Sequence, residues 1–117
     1  MESEIKRISR SVYGVIGPEG STNFGILKGS DNSAVLIDAD IRRIDEIEEA
    51  LQLTGCSEVS YLIDTHEHFD HTSANFYFAQ RGIPIIASAG CAAAMRDEGG
   101  LDFERMLGPV PNLYERL

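Results

Sequence analysis

Three histidines and an aspartate fall within six consecutive positions of this chain: His66, His68, Asp70 and His71, in the stretch Thr65-His66-Glu67-His68-Phe69-Asp70-His71. They are the only histidines in the sequence. Neutral imidazole nitrogens and carboxylate oxygens are what a borderline divalent cation such as Zn²⁺ takes as ligands. One residue separates His66 from His68, so in extended backbone both point to the same side and can meet one ion. Asp70 and His71 follow after the chain turns and can meet a second ion close by. Two such ions share a water, lower its pKa and polarise a carbonyl or phosphoryl oxygen. The competing explanation is a polar surface loop that carries histidines by chance, and the density of ligand-type side chains weighs against it. Glu67 lies between two of these side chains, but strand alternation turns it away. A solvent or bracing contact is therefore expected of it rather than general-base work.

The elements around this loop can be read from turn residues and periodicity. Val59 to Ile63 is an apolar run, so the loop starts where a strand ends, with Asp64 placed to brace it by hydrogen bonds. Residues 1–10 are polar and are expected to be frayed or to form an edge. Val12 to Ile16, Asn23 to Lys28 and Ala34 to Asp38 read as three strands joined by the turns Gly17-Pro18-Glu19-Gly20 and Gly29-Ser30-Asp31-Asn32-Ser33. Such short turns predict antiparallel pairing. The third run is nearly all apolar, which predicts burial on both faces. Ile41, Ile44, Ile47 and Leu51 then recur at helical spacing, with Asp40 as cap and Gly55 as stop. A helix between two strands predicts a crossover. After the histidines, Thr72 or Ser73 is the expected cap of a short helix through Asn75 to Gln80, ended by Gly82. Ile83 to Ala87 reads as a buried strand, and Ser88 as the cap of a helix through Cys91 to Met95, broken at Asp97 to Gly100. From Leu101 to Leu117 no period stands out, and Pro109 and Pro111 forbid a continuous helix.

The pattern His66-x-His68-x-Asp70-His71, preceded by an apolar strand and Asp64-Thr65, resembles the HxHxDH signature of the metallo-β-lactamase superfamily, and the resemblance covers nearly the whole chain. It implies an α/β (α+β) fold: half of an αββα sandwich, a mixed sheet with helices on one face. Residues 1–117 would be a single domain, the N-terminal portion of a metallo-β-lactamase-like domain. It also implies that His66 and His68 bind a first metal, that Asp70 and His71 bind a second, and that Asp70 orients a metal-bound hydroxide. Asp38 matches an acidic position that braces the metal loop, and Tyr13 and Asn23 lie in early loops that can approach the site, though core and turn roles suit them better. Ser73 or Ala74 stands where the family often has Gly. The family uses later ligands too: a His for the first metal, an Asp bridging both and a final His. No His follows His71, and Asp97 and Asp102 lack the bridging context. Half a sandwich leaves one sheet face bare, so a homodimer or a second chain is expected to cover it.

Bulk properties narrow the function. The chain has 117 residues and a formal net charge of −9, which argues against nucleic acid or an anionic membrane as partner. No run approaches the length of a membrane span. The N-terminus has no apolar signal core, so a cytoplasmic location is expected. Cys56 and Cys91 are expected to be free thiols. Cys91, near a helix start, has two readings: a thiol of lowered pKa or, better supported, a small buried helix residue. The expected function is metal-dependent hydrolysis of a small-molecule ester, thioester, amide or phosphoester, nearer to a glyoxalase-II-like thioesterase than to a secreted antibiotic-degrading enzyme. Zn²⁺ is the expected metal, as one or two ions, with Fe or Mn as alternatives. The short chain is expected to be incomplete or inactive alone. The rival is a non-catalytic oligomeric assembly or binding module with a vestigial metal loop.

Overall fold

The structure is a computed structural model, and it describes residues 2–96. The expectations for Asp97 to Leu117 lie outside the described residues. Among the described residues, six strands form one mixed sheet in chain order: β1 (Glu4–Arg7), β2 (Val12–Ile16), β3 (Phe24–Lys28), β4 (Ser33–Ile37), β5 (Glu58–Ile63) and β6 (Ile85–Ile86). The first four pair antiparallel, as the short turns predict. β5 runs parallel to β4, and β6 parallel to β5. The polar N-terminal segment is the edge strand β1, in register with β2 from Glu4↔Ile16 to Arg7↔Tyr13.

The crossover between β4 and β5 is the helix α1 (Ile44–Leu53). A 3-10 turn, Ile41–Arg43, leads into it, and Asp40 caps that turn by accepting a hydrogen bond from the Arg42 N–H at 2.9 Å. Gly55 follows the helix at φ +77°, the left-handed conformation a helix stop needs. Ile41, Ile44, Ile47, Ala50 and Leu51 are buried, so the apolar stripe read from the sequence is the stripe that meets the sheet. They join Val15, Phe24, Ile26, Ala34, Leu36 and Leu62 in one core. Burying each of the larger side chains stabilises the fold by roughly 1.5–3 kcal/mol.

The sheet is two-faced. Ile26, Leu36 and Leu62 lie side by side on neighbouring strands and are fully buried beneath the helices. On the other face, Leu27, Val35 and Tyr61 form one row, and Gly25, Ile37, Ile63 and Ile86 another. Val35, Ile37 and Ile63 are only half-buried, while Ile16, Tyr61 and Ile86 are 39%, 45% and 45% exposed. The expectation that β4 is buried on both faces is thus corrected: its burial alternates, with Ala34 and Leu36 facing the core formed with α1 and the later helices.

Two further elements differ from the sequence reading. The segment after the histidines makes two short helices, α2 (Phe69–Thr72) and α3 (Asn75–Ala79), and no side chain caps either. Thr72 Oγ1 instead donates to the carbonyls of Glu67 and His68, and Ser73 Oγ accepts from the Ile41 N–H at 2.9 Å. Ile83 to Ala87 contains only the two-residue strand β6, with Ile86 exposed because it lies on the open face. Ser88 does cap the last described helix, residues 89–96, accepting from the Cys91 N–H at 3.1 Å.

Candidate metal centre

The parallel pairing of β4 and β5 brings the ends of both strands together, and the site is built there. Asp38 follows β4 with φ +64°, a left-handed conformation that is rare for a residue with a side chain and that Asp tolerates better than most. Its own N–H donates to the Ile63 carbonyl at 2.9 Å. Its carboxylate then accepts from three directions. The Thr65 N–H reaches Oδ1 at 2.8 Å, the Thr65 hydroxyl reaches Oδ2 at 2.8 Å, and His71 Nδ1 reaches Oδ2 at 2.8 Å. Backbone bonds fix the same junction: Ala39 N–H to the His71 carbonyl and Ala74 N–H to the Ala39 carbonyl.

This arrangement determines where the ring protons sit. The Asp38 carboxylate can only accept, so in its neutral form His71 carries its proton on Nδ1 and presents the Nε2 lone pair. The single Thr65 hydroxyl proton goes to Asp38, so the Thr65 oxygen accepts from His66 Nδ1, 2.8 Å away. His66 therefore also presents Nε2. One carboxylate sets both tautomers, directly for His71 and through Thr65 for His66. Metal-ligating histidines are commonly held by such a hydrogen bond on their other nitrogen.

The ligand atoms of Asp38, His66 and His71 all lie within 4.8 Å of one another. Both Asp38 oxygens are engaged, so its place here is to orient the imidazoles. The His66 and His71 rings are 4.1 Å apart between centroids, and the His68 ring is 4.6 Å from that of His66. His68 is exposed and does not join the close group. Asp70 does not join it either, yet its Oδ2 lies 3.4 Å from His71 Nε2. Two lone-pair atoms facing each other at that distance attract a cation or a proton, so the donor set fits a divalent metal. Thr22, from the loop between β2 and β3, donates to the same Asp70 oxygen at 2.7 Å. Burial pushes the Asp70 carboxyl up, but the Thr22 hydrogen bond, His71 and Arg42 together hold its pKa below the ordinary carboxylate value.

The sequence model described as Metallo-beta-lactamase superfamily matches residues 17–115. The chain belongs to the metallo-beta-lactamase superfamily. Among solved structures, it is similar to the FIM-1 metallo-beta-lactamase from Pseudomonas aeruginosa in its mono-zinc form (TM-score 0.70, 18% identity), over 85% of this chain and 47% of that one. It is also similar to the DIM-1 metallo-beta-lactamase (TM-score 0.68, 16% identity, 85% of this chain and 48% of that one). The metallo-beta-lactamase from Pontibacter korlensis gives a TM-score of 0.67 and 20% identity, over 83% of this chain and 48% of that one. The chain spans about half the length of these proteins. No match was found among curated proteins.

The histidine loop begins just after the end of β5, and the remaining residues near it have supporting places. Phe69 is buried beneath the loop, with the Arg42 guanidinium over its ring. Tyr13 packs against the core, and Asn23 Oδ1 accepts from the Gly17 N–H, closing a turn. Burial pushes the Cys91 thiol up, which corrects the reading of a lowered pKa and supports that of a buried packing residue. No described helix is long and apolar enough to cross a membrane.

Asp64 is 4% exposed and accepts from Asn75 Nδ2 at 2.7 Å. Its Oδ1 and the Asn75 Oδ1 have no hydrogen-bond partner among the described residues. Desolvation by burial is the main cause that pushes the Asp64 pKa up from 3.8 to about 6. In the metal-free protein, folding then favours the protonated form. Stability falls as pH rises from near 4 to near 6 and is flat above, by roughly 3 kcal/mol for a shift of about two pH units. Urea unfolding of wild type and Asp64→Asn across this range is expected to show the decline in wild type and a shallower one in the variant. Parallel curves would contradict it.

Proposed function

We propose that this chain carries the metal-holding loop of a metal-dependent hydrolase that acts on a small-molecule ester, thioester, amide or phosphoester. The supporting observation is the Asp38 carboxylate, which fixes the tautomers of His66 and His71 so that both Nε2 lone pairs are free for a metal. His66, His68, Asp70 and His71 would hold Zn²⁺, as one or two ions, with Fe or Mn as the alternatives. When bound, such an ion lowers the pKa of water and polarises the substrate carbonyl or phosphoryl oxygen. Asp38 keeps the imidazoles in register, and Asp70 orients the attacking water by accepting its hydrogen bond.

In the second part of the proposal, a partner covers the exposed sheet face. Ile16, Tyr61 and Ile86 are exposed beside half-buried Val35, Ile37 and Ile63, and another copy of the chain or a second chain covers them. A non-catalytic oligomeric module is the second reading, and the same apolar face favours it. Zinc content by elemental analysis, with mass in solution measured on the same sample, tests both parts. The expected result is stoichiometric zinc on a dimer that hydrolyses simple esters or thioesters. Zinc-free protein after exposure to excess Zn²⁺ overturns the metal reading, and a zinc-loaded dimer without hydrolysis favours the module. Val35→Lys is expected to give a folded monomer; a dimer that persists would place the interface elsewhere.

A further inference from the structure

We propose that Thr22 is the positioning residue for Asp70, fixing from a hydrogen-bonded loop which carboxylate oxygen stands against His71. This rests on the metal-dependent reading above and deepens it. The two residues are 48 positions apart in sequence, yet the Thr22 hydroxyl donates to Asp70 Oδ2 at 2.7 Å. Thr22 is 8% exposed, so water competes little for that bond. The same oxygen lies 3.4 Å from His71 Nε2. The Thr22 proton therefore occupies one lone pair of Oδ2 and sets the direction in which the others point.

The loop can do this because it is held on three sides. The Ser21 N–H donates to the Pro18 carbonyl at 2.9 Å, a turn that Gly20 completes at φ +84°. The Gly17 N–H donates to Asn23 Oδ1 at 3.0 Å. A side chain at Gly17 would meet the Ser21 Cβ at 2.8 Å and the Arg43 guanidinium at 3.0 Å, so glycine lets the loop press against the turn that precedes α1. Thr22 is thus a donor placed before any ligand arrives, which is what keeps a ligating carboxylate at its working angle.

The test compares Thr22→Val, which keeps the shape and removes the donor, with Thr22→Ser, which keeps the donor. Co²⁺ is the probe, since its visible bands report the ligand set, and affinity is measured by chelator competition. Thr22→Val is expected to bind Co²⁺ about tenfold or more weakly with altered bands, and Thr22→Ser to recover the wild-type spectrum and affinity. Thermal unfolding of the metal-free proteins controls for the fold, and Thr22→Ala replaces the valine variant if that does not fold. Equal Co²⁺ affinity and spectra in wild type and Thr22→Val overturn the tether and leave the metal reading intact. An affinity loss that Thr22→Ser does not restore also overturns it. A wild-type protein that takes up no Co²⁺ overturns both.

Discussion

Asp38→Asn is expected to keep the fold and to lose about 10- to 100-fold in Zn²⁺ affinity. Asparagine tolerates the left-handed backbone at this position, φ +64°, and its amide oxygen can still accept from the Thr65 N–H. Its amide nitrogen cannot accept from His71 Nδ1. It donates instead, and the ring proton of His71 moves to Nε2, the atom that faces Asp70 Oδ2. The metal-free variant is expected to lose only about 1–2 kcal/mol of stability, since one charged hydrogen-bond acceptor becomes a neutral one. Asp38→Ala removes every acceptor and strains the backbone, so a loss nearer 3 kcal/mol is expected. Chelator competition and urea unfolding separate these effects. An Asp38→Asn protein with wild-type zinc affinity would show that the carboxylate does not control the imidazoles.

The second large effect belongs to the core. Leu36 is fully buried between Ile26 and Leu62, on the helix-covered face of β4. Truncating it to alanine is expected to cost about 2–5 kcal/mol, much of the stability a domain of this size has. Its neighbour Val35 faces the opposite side and is half-buried. At concentrations where the chain is monomeric, Val35→Ala is expected to cost under about 1 kcal/mol. Chemical unfolding of both variants measures the asymmetry of the sheet. Equal costs would mean that the second face is covered within the single chain.

Much of this fold is legible because local chemistry dictates it. Gly29 to Ser33 and Gly17 to Gly20 break the chain where strands must reverse, and the spacing of Ile41, Ile44, Ile47 and Leu51 leaves only a helix with one apolar stripe. Asp38 is recognisable only through the family resemblance, as the acidic residue that closes an apolar strand. The sidedness of β4 is not, because Ala34, Val35, Leu36 and Ile37 are all apolar and alternation cannot be seen in them. The contacts of Thr22 with the site and of Ser73 with the turn before α1 are not legible for a different reason. Their hydrogen bonds, to Asp70 and with Ile41 and Asp40, span 32 to 48 residues, and a lone hydroxyl residue gives no signal of where the chain returns. Of the two short helices after the histidines, α3 lies where the sequence places one, though without the cap at Thr72 or Ser73, and α2 gives no capping signal because no side chain caps it.

The most direct test is the protonation of the two rings. Long-range ¹H–¹⁵N correlation spectra of the metal-free protein above pH 7 report the tautomer of each histidine. His66 and His71 are expected to carry their proton on Nδ1, with Nε2 bare, and stoichiometric Zn²⁺ is expected to shift the Nε2 resonances of both. A proton on Nε2 of either ring, or Nε2 resonances that ignore zinc, would contradict the arrangement in which one carboxylate prepares both histidines for a metal.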